Sequence, residues 1–257
     1  MHDSVSDLLR ILDTHDAKVT FFVTGKFYYQ FPGIVEMVHQ KGHEIGFHSH
    51  THRTITSAEI LRQEIEYSKE FLKKYKPRGF RAPRVYLPDG LFSILKESGF
   101  AYDSSTFDAP GKAYNHDEIK IFPVSSCIFF DKPSVRAIYP KSMNLKMLSR
   151  ELPFGSGIAF SYLRALYSSL LSYYGKRGKP CIFYLHLWQL YPPPGRKISL
   201  LRHHVRIVHK YPVLKRLTGM LSKHNFQTME NLLKENLLNS KPNQKNASHC
   251  LTFDLEI

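Results

Sequence analysis

The stretch HEIGFHSHTH at residues 43–52 indicates both the fold and the chemistry of this chain. Residues 43–47 form a short run that is typical of a buried strand. His48 and His52 follow it, and a spacing of four places their side chains next to each other in a helix or a tight turn. In α/β proteins, ligands bind at the C-terminal ends of the strands, where these histidines are expected. Taken alone, such a pair is more often an exposed, solvated loop.

Strand-like runs alternate with helical patterns along the chain. The runs are rich in apolar, β-branched and aromatic residues, as in strands buried on both faces of a parallel sheet. The predicted strands are 18–24, 43–47, 79–82, 101–104, 121–124, 181–186 and 250–255. The predicted helices are 5–15, 32–41, 56–75, 88–98, 162–174 and 200–224. This alternation predicts an α/β fold with parallel strands.

Length and composition are those of an ordinary globular protein. The 257 residues suffice for one sizeable core or two small ones, and 42% of them are hydrophobic. No run of roughly eighteen apolar residues predicts a membrane span, and the polar start lacks a signal-peptide pattern, so we expect a cytoplasmic protein. The 3 cysteines include no CxxC pair and predict no disulfide framework.

The charge balance is strongly basic. A net charge of +14 predicts attraction to acidic partners, and basic residues cluster at 69–84 and 196–223. No helix-turn-helix, zinc-finger or RNA-recognition pattern accompanies them, so a specific nucleic-acid partner is not expected. A polyanionic glycan, or peripheral contact with an anionic membrane surface, fits the same charge.

The C-terminal end of the chain is unusual for such a fold. Residues 239–249, NSKPNQKNASH, are polar and aperiodic, which is typical of a linker. A strand-like segment, CLTFDLEI at 250–257, follows and carries Asp254 and Glu256. Two histidines and a carboxylate can hold a first-row metal ion, and a second carboxylate beside them can act as a general base. Function therefore depends on whether folding brings this segment to residues 48–52.

Five segments, in order and sensibly spaced, resemble the polysaccharide deacetylases, the NodB-like carbohydrate esterase family 4. The second motif of that family, H-[ST]-x-x-H, is matched at 48–52, and KVTFFVTG at 18–25 resembles the strand before it. The third to fifth motifs are resembled by RGFRAP at 78–83, GFAYDSS at 99–105, and FYLH at 183–186 followed by Trp188. The resemblance covers about residues 5–233 and looks closest to the branch linked with bacterial exopolysaccharide assembly.

The first motif of the family, T-F-D-D or T-F-D-x-E, is missing before the strand at 18–24. The string TFDLE at 252–256 supplies it near the other end of the chain. The resemblance thus implies a distorted (β/α) barrel of the NodB deacetylase type, circularly permuted, with its first strand supplied by the C-terminus. We expect a deacetylase body at 1–238, a linker at 239–249 and a completing strand at 250–257. A disordered tail, a wrongly cut reading frame and strand exchange between molecules are the alternatives.

The resemblance also implies a metal site. His48, His52 and Glu256 would bind a divalent ion, with zinc the expected metal. Leu255 stands where the T-F-D-D form has its second aspartate, and Glu256 lies two residues beyond Asp254, on the same face of a strand. His50 occupies the variable position of the second motif and is not expected to be a ligand.

Four catalytic residues follow from the same resemblance. Asp254 corresponds to the general base, and Arg81 to the residue that pairs with it. His186 corresponds to the general acid that protonates the leaving amine, and Asp103 to the acidic partner of that histidine. Taken singly, each has a structural explanation: a surface ion pair for Arg81, a turn residue for Asp103 and a core histidine for His186.

The sequence therefore predicts a metal-dependent hydrolase that removes N-acetyl groups from the amino sugars of a polysaccharide or glycan. Its expected partner is the N-acetylated glycan substrate. An inactive glycan-binding relative, in which the displaced strand never completes the site, is the main alternative. A basic nucleic-acid-binding protein is the third hypothesis.

Overall fold

Short strands make up the framework of the protein. The computed structural model describes residues 1–128, 151–191, 213–238 and 247–256. The strands in these ranges are β1 (Thr20–Val23), β2 (Glu44–Phe47), β3 (Gly79–Phe80), β4 (Tyr102–Asp103), β5 (Phe107–Asp108), β6 (Tyr114–His116), β7 (Ile119–Ile121), β8 (Val124–Ser125), β9 (Cys127–Ile128), β10 (Glu151–Leu152), β11 (Ile182–His186) and β12 (Cys250–Leu255).

Helices connect most of the longer strands. The α-helices of the described ranges are α1 (His2–Thr14), α2 (Gly25–Gln30), α3 (Pro32–Gln40), α4 (Ala58–Tyr67), α5 (Lys69–Tyr75), α6 (Phe92–Glu97), α7 (Gly157–Gly175), α8 (Leu187–Leu190), α9 (Val213–Leu221) and α10 (Met229–Leu238). Single 3-10 turns lie at Pro83–Val85 and Asp89–Leu91. None of the helices in the described ranges has the length and apolar character that crossing a membrane requires.

One sheet of eight strands, in the order β11-β12-β1-β2-β3-β4-β7-β6, organises the described residues. All neighbours are parallel except the antiparallel pair β6–β7. The sheet curls into a half-barrel with β11 and β6 at its edges. The α/β fold predicted from the alternation of strands and helices is confirmed.

The C-terminal strand β12 lies inside this sheet. It pairs with β1 on one side, where Asp254 is opposite Phe22, and with β11 on the other, where Asp254 is opposite His186. All six residues of β12 are buried. A disordered tail is therefore wrong for this segment, because its apolar run fills a gap between two parallel strands.

Side chains along β12 alternate between the two faces of the sheet, with apolar residues on one face and polar residues on the other. Leu251, Phe253 and Leu255 belong to the large hydrophobic core that also contains the inner faces of α1 and α3. The intervening residues, Thr252 and Asp254, point to the opposite face of the sheet. Asp254 thereby lies on the same face of the sheet as Phe22, its partner in β1.

Some element boundaries differ from the sequence predictions. The helix predicted over 56–75 is divided into α4 and α5 at Ser68, a buried residue whose hydroxyl contacts the His50 ring. The strand predicted over 121–124 is split between β7 and β8, and α2 was not expected. Residues 239–246 of the predicted linker at 239–249 lie outside the described residues. Residues 200–212 of the helix predicted over 200–224 also lie outside them.

Candidate active site

Two histidines at the end of β2 face each other across a tight loop. His48 is buried, and its Nδ1–H donates a hydrogen bond to the carbonyl oxygen of Arg81 at 2.7 Å. Because a carbonyl can only accept, this bond leaves the Nε2 lone pair available. Ser49 and His52 adopt left-handed backbone conformations, with φ of 64° and 61°. The chain thus folds back, and the two rings lie 4.8 Å apart between centroids.

The carboxylate of Glu256 reaches this pair from the end of β12. Its Oε2 lies 2.6 Å from Nε2 of His52, and its Oε1 lies 3.3 Å from Nδ1 of His186. The ligand atoms of His48, His52 and Glu256 all lie within 4.8 Å of one another. Only β1 separates β2 from β12 in the sheet, which is why residues from opposite ends of the chain meet here.

Burial and mutual contact set the charges of this trio. Burial lowers the pKa of His48 to about 4, so its ring is neutral at pH 7. Burial raises the pKa of Glu256, but the contact with His52 and the charges of His186 and His52 outweigh it and lower the pKa to about 2. A neutral imidazole and an ionised carboxylate are the forms that bind metal ions.

A divalent metal ion fits the atoms that the site leaves without partners. The Oε2 atom of Glu256 is buried and, although close to His52, has no hydrogen bond of regular geometry. Buried polar atoms rarely lack a partner in native proteins. Two imidazole nitrogens and one carboxylate oxygen are a ligand set of catalytic zinc sites, which keep a further position for water. The donor set of this chain therefore matches such an ion.

Asp254 forms a buried ion pair with Arg81. The Nη1 of Arg81 lies 3.2 Å from Oδ1 of Asp254 and 2.5 Å from the hydroxyl of Thr252. The same guanidinium donates to the hydroxyl and carbonyl oxygens of Ser104 at 2.9 and 3.2 Å, and it stacks over the ring of Phe22. A buried charge needs such complete pairing to be tolerated. The predicted pairing of Arg81 with Asp254 is present, and Arg81 is not a surface residue.

His186 ends β11 beside the metal-binding trio, whereas Asp103 lies elsewhere. The ring of His186 stacks on Trp188 with centroids 5.6 Å apart. The carboxylate of Asp103 accepts hydrogen bonds from the N–H and the hydroxyl of Ser105, and burial raises its pKa to about 7. The expected pairing of Asp103 with His186 is not among the hydrogen bonds or ion pairs of the described residues, where Asp103 bonds to Ser105 instead. The carboxylate beside His186 is that of Glu256.

Sequence reasoning missed Glu64, which holds the loop between the two histidines. Its fully buried carboxylate accepts hydrogen bonds from the N–H groups of His50 and Thr51, both at 2.7 Å. The ring of His50 turns to Ser68 rather than to the metal-binding trio. One signal was available: Glu64 lies three residues after Leu61, on the face of α4 that is buried.

Two family models match the chain. Residues 1–102 match the polysaccharide deacetylase model, and residues 136–234 match a domain of unknown function, DUF3473. A peptidoglycan-N-acetylglucosamine deacetylase of Bacillus cereus is 37% identical over 100 residues, which are 37% of this chain and 46% of the relative. The chain spans less than half the length of the first curated relatives it matches.

Two solved structures align with this chain at low sequence identity. A family 4 carbohydrate esterase from Streptomyces lividans is 14% identical and aligns with a TM-score of 0.49 over 96% of this chain and 91% of its own. A 4-alpha-glucanotransferase from Thermococcus litoralis, also 14% identical, aligns with a TM-score of 0.54 over 89% of this chain and 34% of its own. The second alignment supports the α/β fold alone, because this identity is too low to carry chemistry.

Proposed function

We propose that the protein removes N-acetyl groups from a glycan in a metal-dependent reaction, because residues 1–102 match the polysaccharide deacetylase model. One observation supports the proposal above all: the ligand atoms of Glu256, the residue after β12, and of His48 and His52 lie within 4.8 Å of one another, while Asp254 in β12 pairs with Arg81. The match to the family model supports deacetylase chemistry in general, and these contacts support the particular roles given below.

His48, His52 and Glu256 are the residues that would hold the metal. A divalent ion, when bound there, activates water as a Lewis acid and polarises the amide carbonyl of the substrate. His48 offers Nε2, because its Nδ1–H is engaged by the carbonyl oxygen of Arg81. The nitrogen and oxygen donors make zinc the expected ion.

Asp254 is the general base in this proposal. It takes a proton from the attacking water while the oxygen of that water bonds to the carbonyl carbon of the acetamide. The guanidinium of Arg81 contacts Oδ1, so we assign the proton to Oδ2. Arg81 thereby acts through Asp254, by fixing its position and balancing its charge in a buried environment.

His186 is the general acid. It donates a proton to the nitrogen of the amide as the carbon–nitrogen bond breaks, which releases acetate and the free amine. Histidine suits this task because it gains and loses a proton near neutral pH. The ring is oriented by Glu256 on one side and Trp188 on the other, and the proposal gives this orienting role to them instead of Asp103.

The substrate class follows from the relatives and from the charge. The matching proteins include deacetylases of peptidoglycan N-acetylglucosamine, so we infer a polymer of N-acetylated amino sugars as the substrate. Peptidoglycan and an exopolysaccharide both meet this description. The net charge of +14 suits a polyanionic glycan or its membrane surroundings. The cytoplasmic location stays a prediction.

We also infer that the strand order is a circular permutation of the order usual in the family. In support, β12 contains the first four residues of the TFDLE string and lies between β11 and β1, parallel to both. Residues 1–238 and 250–257 would then form one domain joined by the linker at 239–249.

The test replaces the proposed base in the full chain. We expect Asp254→Asn to reduce acetate release from N-acetylated chito-oligosaccharides at least about 100-fold, since general base catalysis contributes about 10²–10⁴-fold. Bound metal, measured by elemental analysis, should remain because the three ligands are untouched. The control is Asp13→Asn, which removes a half-exposed carboxylate of a surface ion pair and should leave turnover unchanged.

Two outcomes would count against this function. Unchanged turnover in Asp254→Asn would refute the role of Asp254 as base. A folded wild-type protein that retains stoichiometric metal but releases no acetate from these oligosaccharides or from peptidoglycan fragments would support the inactive glycan-binding alternative.

A further inference from the structure

The loop between the proposed metal ligands adopts an unfavourable backbone conformation. Ser49 and His52 both have positive φ, at 64° and 61°, which residues other than glycine rarely adopt. Such conformations persist only where the surroundings impose them. The surroundings of this loop therefore decide where the rings of His48 and His52 point.

A single buried carboxylate, that of Glu64, accepts three hydrogen bonds from the loop. Oε2 of Glu64 accepts from the N–H groups of His50 and Thr51, both at 2.7 Å. Oε1 accepts from the Thr51 hydroxyl at 2.9 Å and lies 2.8 Å from Nε of Arg53. An ionised carboxylate has about four acceptor sites, so these four donors saturate it.

The opposite edge of the loop is held by the first turn of α2. The N–H groups of Gly25 and Lys26 donate to the carbonyl oxygens of Ser49 and His50 at 2.9 and 3.0 Å. The loop is thus held from two sides, because Glu64 binds its N–H groups and α2 binds its carbonyl groups. The carboxylate of Glu64, a fully buried charge, has no part in the proposed chemistry.

We propose that Glu64 is a positioning residue for the metal-binding pair. By binding the two N–H groups between His48 and His52, it holds the loop in its left-handed turns and presents both rings to the point that Glu256 also reaches. This inference rests on the proposed metal-dependent function. Helix α4 supplies none of the three ligands, but through Glu64 it would control the affinity of the metal site.

The test compares metal binding by the full-length wild-type protein and its Glu64→Gln variant. In either orientation of the glutamine side chain, its NH₂ group takes the place of one carboxylate oxygen. An NH₂ group cannot accept the hydrogen bonds that this oxygen accepted, so at least one hydrogen bond is lost. We expect the dissociation constant for Zn²⁺, from competition with a chromophoric chelator, to rise about 10–100-fold. The visible absorption spectrum of the Co²⁺-loaded variant should also change, because the ligand geometry is altered.

Glu66→Gln is the matched control, since Glu66 lies on the same helix but is exposed and paired with Lys69. This variant should bind Zn²⁺ and Co²⁺ as the wild type does. Should Glu64→Gln fail to fold, as judged by circular dichroism of the metal-free protein, Thr51→Val replaces it. That variant removes only the hydroxyl bound by Glu64, and we expect a smaller rise in the dissociation constant with a changed Co²⁺ spectrum.

Different results would contradict the role of Glu64 and the presence of a metal site. If the folded variant, Glu64→Gln or in its place Thr51→Val, matches the wild type in Zn²⁺ affinity and Co²⁺ spectrum, Glu64 does not position the ligands, while the metal-dependent function stands. If the wild-type protein binds neither ion, the metal site itself is absent and both proposals fall.

Discussion

Arg81 shows how one buried side chain can fix the positions of several others. Its fully buried guanidinium contacts Thr252 and Asp254 on β12 and Ser104 after β4. Removing one partner of such a buried pair costs about 3–5 kcal/mol, because the other charge is left uncompensated. The Asp254→Asn test must therefore include a measurement of stability, so that lost turnover is separated from lost structure.

Buried neutral histidines predict a pH-dependent stability. Burial lowers the pKa of His249 from 6.5 to about 3. Between these values the unfolded chain binds a proton that the folded chain does not, so stability rises with pH. We expect His249→Asn, which can keep an acceptor for the Cys181 N–H, to remove this contribution. Between pH 7 and pH 5 the wild type should lose about 2 kcal/mol more free energy of unfolding than the variant.

Urea denaturation at the two pH values measures this difference in metal-free protein. His2→Asn is the control, because His2 is exposed and its replacement should leave the difference between pH 7 and pH 5 as in the wild type. Equal losses in the wild type and His249→Asn would show that His249 is protonated without cost in the folded state.

At the scale of elements, the close approach of α2, α5 and the loop after β2 shapes the site. The break between α4 and α5 falls at Ser68, whose hydroxyl lies 3.0 Å from Nδ1 of His50. Gly25, the first residue of α2, leaves room for both of these side chains. The helix predicted as continuous over 56–75 is interrupted where it meets this loop.

We expect Gly25→Ala to destabilise the protein by about 1–3 kcal/mol, because the new methyl group would overlap Ser68 and His50. The same change at Gly33, in the first turn of α3, meets no atom within 4 Å and should be neutral or stabilising by up to about 1 kcal/mol. Thermal and urea denaturation measure both effects. Equal stabilities of the two variants would contradict this account of the packing.

At the scale of the whole molecule, β12 can be connected in more than one way. It is parallel to both β1 and β11, and α1 precedes β1 directly. If the end of β12 were joined to α1, the segment would form a β-α-β unit of the kind that links parallel neighbours in most α/β proteins. The position of β12 in the sheet is thus compatible with either chain order.

A rearranged gene tests this equivalence. It encodes residues 247–257, a short Gly/Ser linker and then residues 1–238. We expect the protein to fold and to bind Zn²⁺ with the affinity of the natural order, as measured by circular dichroism and chelator competition. A variant that ends at residue 246 is the control, and it should lose Zn²⁺ binding with Glu256. Failure of the rearranged protein to fold would contradict the permutation proposal.

Local sequence anticipated several elements well. The strand predicted over 250–255 agrees residue for residue with β12, because its apolar run has no competing helical period. The prediction of α3 is within one residue at its C-terminal end, since Pro32 and Gly42 mark its limits. The split of the helix over 56–75 was not anticipated, because its cause is a contact with His50, which is distant in sequence.

The alternation of strands and helices, the histidine pair and the acidic strand can all be recognised in the sequence, because each depends on a pattern within a few residues. Which of these segments meet depends on how the chain folds. Folding sets Glu256 beside His48 and His52, pairs Arg81 with Asp254, bonds Asp103 to Ser105 and brings Glu64 against the loop. Strand order in a sheet is set by long-range pairing and burial, which no local pattern encodes.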